Sequence, residues 1–264
     1  MPYATHDLAL PAQEDTTPAR RSSLRAVARL FVFLSLTCAW AARYIFHGVR
    51  RGFDPVEAAD FGRRWSIQLA RVLGLKVSYS GELPAEPCLL VANHRSYMDI
   101  TAMYSLLPLS FMAKVEVSRW PFIGFITRLG PTIFVDRDKT ESRKTSRENL
   151  RRMIVENGLP AVVFPEGTSF EGPGILPFRP GSFFMAREAE IPVVPVAVHY
   201  EDVDDAWVGD DSFLGHFLRQ LAKPNIRIHL VFTDPIAEGS GDDVRDGAEN
   251  RIRSALSVLE GGAS

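Results

Sequence analysis

Short, almost uninterrupted apolar runs alternate along this chain with stretches of helical periodicity, and that alternation constrains the fold more than any other feature. The runs span 75–80, 88–92, 110–114, 132–135, 161–164, 193–199 and 226–233. Each has strand length, and several place apolar side chains at consecutive positions, as strands do when both faces of a sheet are covered. Between them, 146–157 sets Leu150, Met153 and Ile154 on one helical side, and Gly158 follows where helices commonly stop. Segments 181–190 and 244–259 are two further predicted helices. The alternation predicts an α/β fold: a single domain with a mostly parallel central sheet flanked by helices.

Composition narrows the function classes. The chain has 264 residues, 30 basic and 32 acidic side chains and a net charge of −2. That balance speaks against a general nucleic-acid binder, which would carry a strongly basic domain. Cys38 and Cys88 form no CxxC and no paired spacing, so neither a disulfide scaffold nor a structural zinc site is expected.

The N-terminal quarter has its own pattern. Residues 1–24 lack an apolar period and predict a disordered tail. Arg20, Arg21, Arg25 and Arg29 precede an uncharged run over 30–42, and Arg43, Arg50 and Arg51 follow it. Four structures fit this order: a signal peptide, a spanning helix with snorkelling arginines, a helix in one leaflet, and a buried core helix. The thirteen-residue run falls short of the roughly 20 residues of a straight span. It therefore favours the helix in one leaflet, its arginines reaching anionic head groups. Segment 61–73 is a second amphipathic helix that can pair with it. The α/β fold is thus preceded by an N-terminal membrane-associated helical element over 25–74, and the main domain spans 75–264.

The strongest chemical motif follows the second run: Asn93-His94-Arg95-Ser96-Tyr97-Met98-Asp99. On one continuous helix His94 and Asp99 would sit roughly 140° apart. They meet only if His94 lies in the turn before a helix and Asp99 in its first turns, with Ser96 as a candidate N-cap. The carboxylate would then fix the imidazole tautomer and leave the second ring nitrogen free to take a proton from a hydroxyl. An isolated H-x4-D pair also occurs without chemical meaning.

Three more blocks follow in order: Ile133-Phe134-Val135-Asp136-Arg137, Phe164-Pro165-Glu166-Gly167-Thr168, and Ile191-Pro192-Val193-Val194-Pro195-Val196-Ala197. Together the four resemble the motifs of the glycerolipid acyltransferase superfamily, typified by the 1-acylglycerol-3-phosphate acyltransferases, over about residues 75–200. The resemblance implies an acyltransferase domain over 75–264 with His94 and Asp99 catalytic. It implies substrate binding by Lys114, Arg137, Glu166, Gly167 and Thr168. Arg137 and Lys114 would face the acceptor's phosphate, a role that suits the guanidinium fork. Glu166 would accept from acceptor hydroxyls. The structural alternatives are an ion pair of Arg137 with Asp136, Asp138 or Glu141, a solvated Lys114, and an exposed turn glutamate.

The implied reaction is direct transfer of an acyl chain from acyl-CoA or an acyl carrier protein to a lysolipid hydroxyl, with no metal and no cofactor. GxSxG, HExxH, P-loop and complete GxGxxG motifs are absent from the sequence. The expected partners are the membrane lipid surface, the lysolipid acceptor and the thioester donor, with no nucleic acid, at the cytoplasmic face of the inner membrane. Lysophosphatidic acid is the default acceptor. Two departures qualify it: Ser169 stands where the family commonly has arginine, and Pro131 precedes the second block. Arg179 is a candidate to replace the missing cation. Ser169, the acidic stretch 201–205 and the segment Trp207-Val208-Gly209-Asp210 also fit a lyso-ornithine lipid acceptor. A silent membrane-binding protein on the same fold is the third reading, opposed by the intact His94 and Asp99.

Overall fold

The computed structural model describes residues 22–120, 122–209 and 211–261. Most of the tail expected over 1–24 lies outside them, but Ser22 is already the N-cap of α1, whose first turn begins at Ser23. The chain continues as α1 (Ser23–Arg51), α2 (Pro55–Leu73), β1 (Leu75–Ser80), β2 (Leu89–Ala92), α3 (Met98–Leu106), β3 (Ser110–Lys114), α4 (Ile123–Leu129) and β4 (Thr132–Val135). Then come α5 (Thr140–Val155), β5 (Ala161–Val163), α6 (Gly181–Glu188), β6 (Val193–Tyr200), α7 (Phe213–Ala222), β7 (Ile226–Phe232) and α8 (Gly241–Gly261).

All seven apolar runs become strands of one sheet, ordered β1-β7-β6-β2-β5-β3-β4. Only β6 and β7 pair antiparallel; every other neighbour is parallel. Side chains alternate across the sheet. Leu90, Ala92, Val194 and Val196 join a cluster with α2, α3 and α7, while Leu89, Val91, Val193 and Ala197 join one with α5, α6 and α8. Burying both faces explains why these runs read as continuously apolar.

The contiguous block β6-β2-β5-β3-β4 runs in one direction, so its carboxyl ends share an edge. In open α/β sheets this is the edge where ligands bind. Every candidate site residue lies within it or just beyond it in sequence.

The helical hairpin closes over that edge. Asp54 caps α2 by accepting from Val56 and Glu57 N–H, with Pro55 in the first turn, and Gly74 ends it in the left-handed region. Phe33, Thr37, Tyr44 and Gly48 form the buried side of α1. Thr37 accepts from Trp65 Nε1 and Trp40 Nε1 donates to Gln68, tying α1 to α2. The opposite side of α1 exposes Leu24, Val27, Phe31, Val32, Phe46 and Val49.

Two expectations for α1 change. Its 29 residues include a window of mean hydropathy 1.5, long and apolar enough to cross a membrane. Yet Arg25 and Arg29 are spent on protein. Arg25 donates to Ala222 O, and Arg29 donates to the carbonyls of Leu221, Lys223 and Pro224. They satisfy the carbonyl end of α7, where positive charge is favourable, rather than reaching head groups. Among the described residues, Arg43, Arg50 and Arg51 make no such carbonyl contacts.

Candidate active site

The first block folds as a clamp around one histidine. After β2, Asn93 extends the sheet with its side chain, donating to Val198 O at 2.9 Å and accepting from Val198 N at 2.7 Å. His94 occupies the turn before α3, and Asp99 lies in the first turn of α3. The His94 Nδ1 to Asp99 Oδ2 distance is 2.8 Å. The same Oδ2 accepts from Arg95 N at 2.8 Å and Ser96 N at 3.0 Å, while Tyr200 Oη donates to Oδ1 at 2.6 Å. Asp99 is fully buried, so these donors replace the water it lost. The His94 ring stacks on Phe164 with centroids 4.1 Å apart, and Nε2 has no protein partner among the described residues. Ser96 is not the expected cap: the helix N-cap is Tyr97, and Met98 N reaches Ser96 Oγ only at 3.5 Å. Asp99 instead reaches back to the open amides.

Glu166 also differs from expectation. Its Oε1 accepts from His94 N at 2.8 Å and its Oε2 from Leu176 N at 3.0 Å. The residue is buried, and it lies outside the cavity lining, so its carboxylate braces the histidine turn rather than facing an acceptor hydroxyl. Burial pushes this carboxyl up, while the two amide bonds and the charges of Arg95 and His94 pull it down. His94 O accepts from Phe170 N, so the catalytic candidate is held on both sides of its backbone.

Gly167 has φ +80°, a conformation that favours glycine; a Cβ there would lie 2.9 Å from Arg179 Nε, a contact the flexible arginine side chain can relieve. Its carbonyl accepts from Arg137 Nη1. Among the described residues Arg137 pairs with none of the three carboxylates proposed as alternatives, and Asp136 pairs with Lys139 at 2.9 Å. Burial, and next the neighbouring charge of Arg179, lower the Arg137 pKa. Lys114 at the end of β3 and Thr168 after β5 are exposed and line the same cavity.

Ser169 donates through Oγ to Trp207 O, Trp207 N donates to Arg95 O, and Trp207 Nε1 donates to Asp211 O. Arg95 holds the loop after the third block, donating to Phe170 O, Gly172 O and Gly174 O. Sequence reasoning gave no role to Arg95, Phe164 or Tyr200. Phe164 carried a usable signal: it follows β5, the parallel neighbour of β2. Tyr200 gave little, standing one residue beyond the expected end of its strand.

A cavity of about 1340 Å³ connects His94, Lys114, Arg137, Phe164, Gly167 and Thr168. Its apolar limb is lined by Phe33, Trp40, Phe61 and Trp65 of the hairpin and by Ile100 and Tyr104 of α3. At its polar end are His94, Lys114, Arg137, Arg143, Arg147 and Arg179, with Glu116 and Asp138 as the carboxylates. The arrangement suits a molecule with a long apolar chain and an anionic head, and His94 is part of the same lining. Among the described residues, no three His, Cys, Asp or Glu side chains gather as metal ligands.

Comparison with known proteins agrees with this architecture. The family model described as Acyltransferase matches residues 74–199. The chain is 33% identical over 201 residues to a lyso-ornithine lipid O-acyltransferase of Pseudomonas aeruginosa, covering 74% of this chain and 77% of that protein. It is 33% identical over 209 residues to a 1-acyl-sn-glycerol-3-phosphate acyltransferase of Neisseria meningitidis, covering 75% and 79%. The crystal structure of the 1-acyl-sn-glycerophosphate acyltransferase PlsC from Thermotoga maritima shares the fold, with a TM-score of 0.67 at 20% identity over 90% of this chain and 95% of that one.

Proposed function

This chain belongs to the acyltransferase family, and we propose that it transfers a fatty acyl group from acyl-CoA or acyl carrier protein to the free hydroxyl of a lyso-ornithine lipid. His94 Nε2 takes the hydroxyl proton as that oxygen attacks the thioester carbonyl. The tetrahedral intermediate collapses, the C–S bond breaks, and the thiolate leaves with the proton that His94 had accepted. Asp99 holds the tautomer and offsets the imidazolium charge. Support for the base role comes from an imidazole bonded at Nδ1 to a buried carboxylate, with Nε2 unpartnered among the described residues and the ring on the cavity lining.

The observation that carries the acceptor assignment is Ser169. Where the family commonly presents arginine, this hydroxyl is spent on Trp207 O, so the third block offers no cation of its own. An ornithine head carries a carboxylate and an amine, and needs fewer cations than a phosphate dianion. The name of the Pseudomonas relative supports the same acceptor. The second reading, lysophosphatidic acid, is favoured by Lys114, Arg137 and Arg179 in the lining of one cavity. Purified enzyme offered both lysolipids with each donor decides between them. Turnover of lyso-ornithine lipid alone is expected, and turnover of lysophosphatidic acid alone refutes the assignment.

We place the enzyme on the membrane surface through α1 and α2 (residues 25–74), at the cytoplasmic face of the inner membrane, with 75–264 carrying the chemistry. The exposed apolar side of α1, with Arg43, Arg50 and Arg51 in its second half, fits an interfacial helix. Phe31 and Phe46 are 71% and 61% exposed, so Phe31→Glu with Phe46→Glu should weaken vesicle binding without opening the core. Unchanged binding by the double variant would exclude this face.

A further inference from the structure

We infer that Tyr200 is a positioning residue for the acyl transfer, acting on His94 through the far oxygen of Asp99. The inference rests on His94 being the base. β6 runs parallel to β2 in the register Ala92↔Val196, and Asn93 binds the Val198 main chain just beyond. The last residue of β6, Tyr200, therefore arrives level with the histidine turn. Its hydroxyl donates to Asp99 Oδ1 at 2.6 Å, the one hydrogen bond to that oxygen among the described residues. Asp99 Oδ2 already takes three donors, including His94 Nδ1. Tyr200 is itself buried and does not line the cavity, so it cannot touch a substrate directly.

A hydrogen bond to the ionised form of a carboxylate stabilises that form. The phenol thus draws negative charge toward Oδ1 and weakens the pull of Asp99 on an imidazolium proton. It also fixes the carboxylate plane, and with it the imidazole. The phenol stays a donor throughout the working pH range, because burial and the adjacent Asp99 carboxylate hold it well above its ordinary value. The other groups facing this assembly are Asp205 and Tyr97 beside Tyr200, with Asp205 in contact with Lys223, and Glu166 and Arg95 beside His94. None of them donates to Oδ1.

The test is the pH profile of kcat/KM, whose acid limb reports the free enzyme's base. In Tyr200→Phe, Oδ1 loses its donor and His94 becomes more basic. The limb should move up by about half to one unit, a three- to tenfold change in the protonation equilibrium. kcat should fall roughly tenfold, with the lysolipid KM unchanged. Incorporating 3-fluorotyrosine at 200 keeps the shape but makes a more acidic donor, and should move the limb down. It also serves if the phenylalanine variant folds poorly. Acid limbs that stay in place in the variants that fold, with only a lower melting temperature, would reduce Tyr200 to packing. A shift of the wrong sign would overturn the inference equally. His94→Ala separates the premise: substantial residual turnover would refute the base role itself, whereas its loss with an unmoved Tyr200→Phe limb refutes only the role of Tyr200.

Discussion

Replacing Glu166 by glutamine distinguishes support of the histidine turn from contact with the acceptor. The carboxylate accepts from two backbone amides, His94 N at 2.8 Å and Leu176 N at 3.0 Å, in a site shielded from water. Glutamine keeps one carbonyl oxygen and turns an NH2 group toward the other amide. One hydrogen bond to a charged group is lost and a buried N–H is left facing a donor, at a cost of about 2–4 kcal/mol. For a domain of this size that lowers the melting temperature by roughly 5–15 °C. The freed His94 backbone carries the imidazole with it, and a displacement near 1 Å costs on the order of 10²-fold in rate. Steady-state kinetics at varied lysolipid should therefore show kcat down about 10- to 100-fold and KM within about twofold, the signature of an interaction felt in the transition state. A tenfold rise in KM with kcat and melting temperature unchanged would refute the bracing role and restore Glu166 to the acceptor.

Four further outcomes are expected. Asp99→Asn, with its oxygen in the place of Oδ2, still accepts from Arg95 N, Ser96 N and His94 Nδ1, and its NH2 can donate to Tyr200 Oη, so the fold survives while the negative charge that offsets the imidazolium is lost; kcat should fall on the order of 10²-fold, and a loss under tenfold would refute the dyad. Arg137→Ala should raise the acceptor KM about 10- to 100-fold with a smaller effect on donor KM, since it removes a charge-assisted anion contact; equal effects on both would contradict that placement. Ser169→Arg restores the family's usual cation and breaks the tie to Trp207, so the kcat/KM ratio should move toward lysophosphatidic acid by roughly tenfold, and an unchanged ratio counts against Ser169 as the discriminating position. His216 is buried beside Tyr97, and burial lowers its pKa below 6.5. The unfolded chain takes up a proton that the folded site resists, so this stability term is present above about pH 6.5 and lost as the pH falls. The melting-temperature advantage of the native chain over His216→Gln should shrink from pH 7.5 to 5, in about that range, and a constant gap would be the contrary result.

The sheet was readable because its strands are buried on both faces. Continuous apolar runs such as 88–92 and 193–199 left little else to fold into, and β1, β3 and β4 match their expected ranges. The helices were less legible where charge interrupts the apolar pattern. α5 begins at Thr140, six residues before its expected start, because 140–145 contributes no core residue and shows no period. α7 was not foreseen: Gly215, His216 and Gln220 break its apolar stripe, and His216 and Gln220 are buried as polar groups rather than apolar ones. α1 runs well past the uncharged stretch 30–42, since Arg25 and Arg29, which look like a solvent boundary, find carbonyl partners on α7. Propensity and period report what a residue prefers, whereas such partners exist only after the chain has folded.

The same limit divides the site. Its location follows from the sheet, because the ends of parallel strands converge on one edge, and His94, Lys114, Arg137, Glu166 and Tyr200 lie at the ends of β2, β3, β4, β5 and β6. The roles within it do not follow from residue type. Asp99 and Glu166 are both buried carboxylates addressed to His94, one binding the ring nitrogen and the other the backbone nitrogen. In the sequence each is simply an acid in a motif. What separates them is which donor each finds after desolvation, since a buried carboxylate without donors would protonate or force the site open. Asp99 meets a side chain that can change charge, so in the mechanism we propose its energy enters the proton transfer. Glu166 meets amides that cannot, so its energy goes into holding the turn. Exchanging the two acids' partners would leave composition and motif spacing intact and still remove the proposed base from the cavity wall.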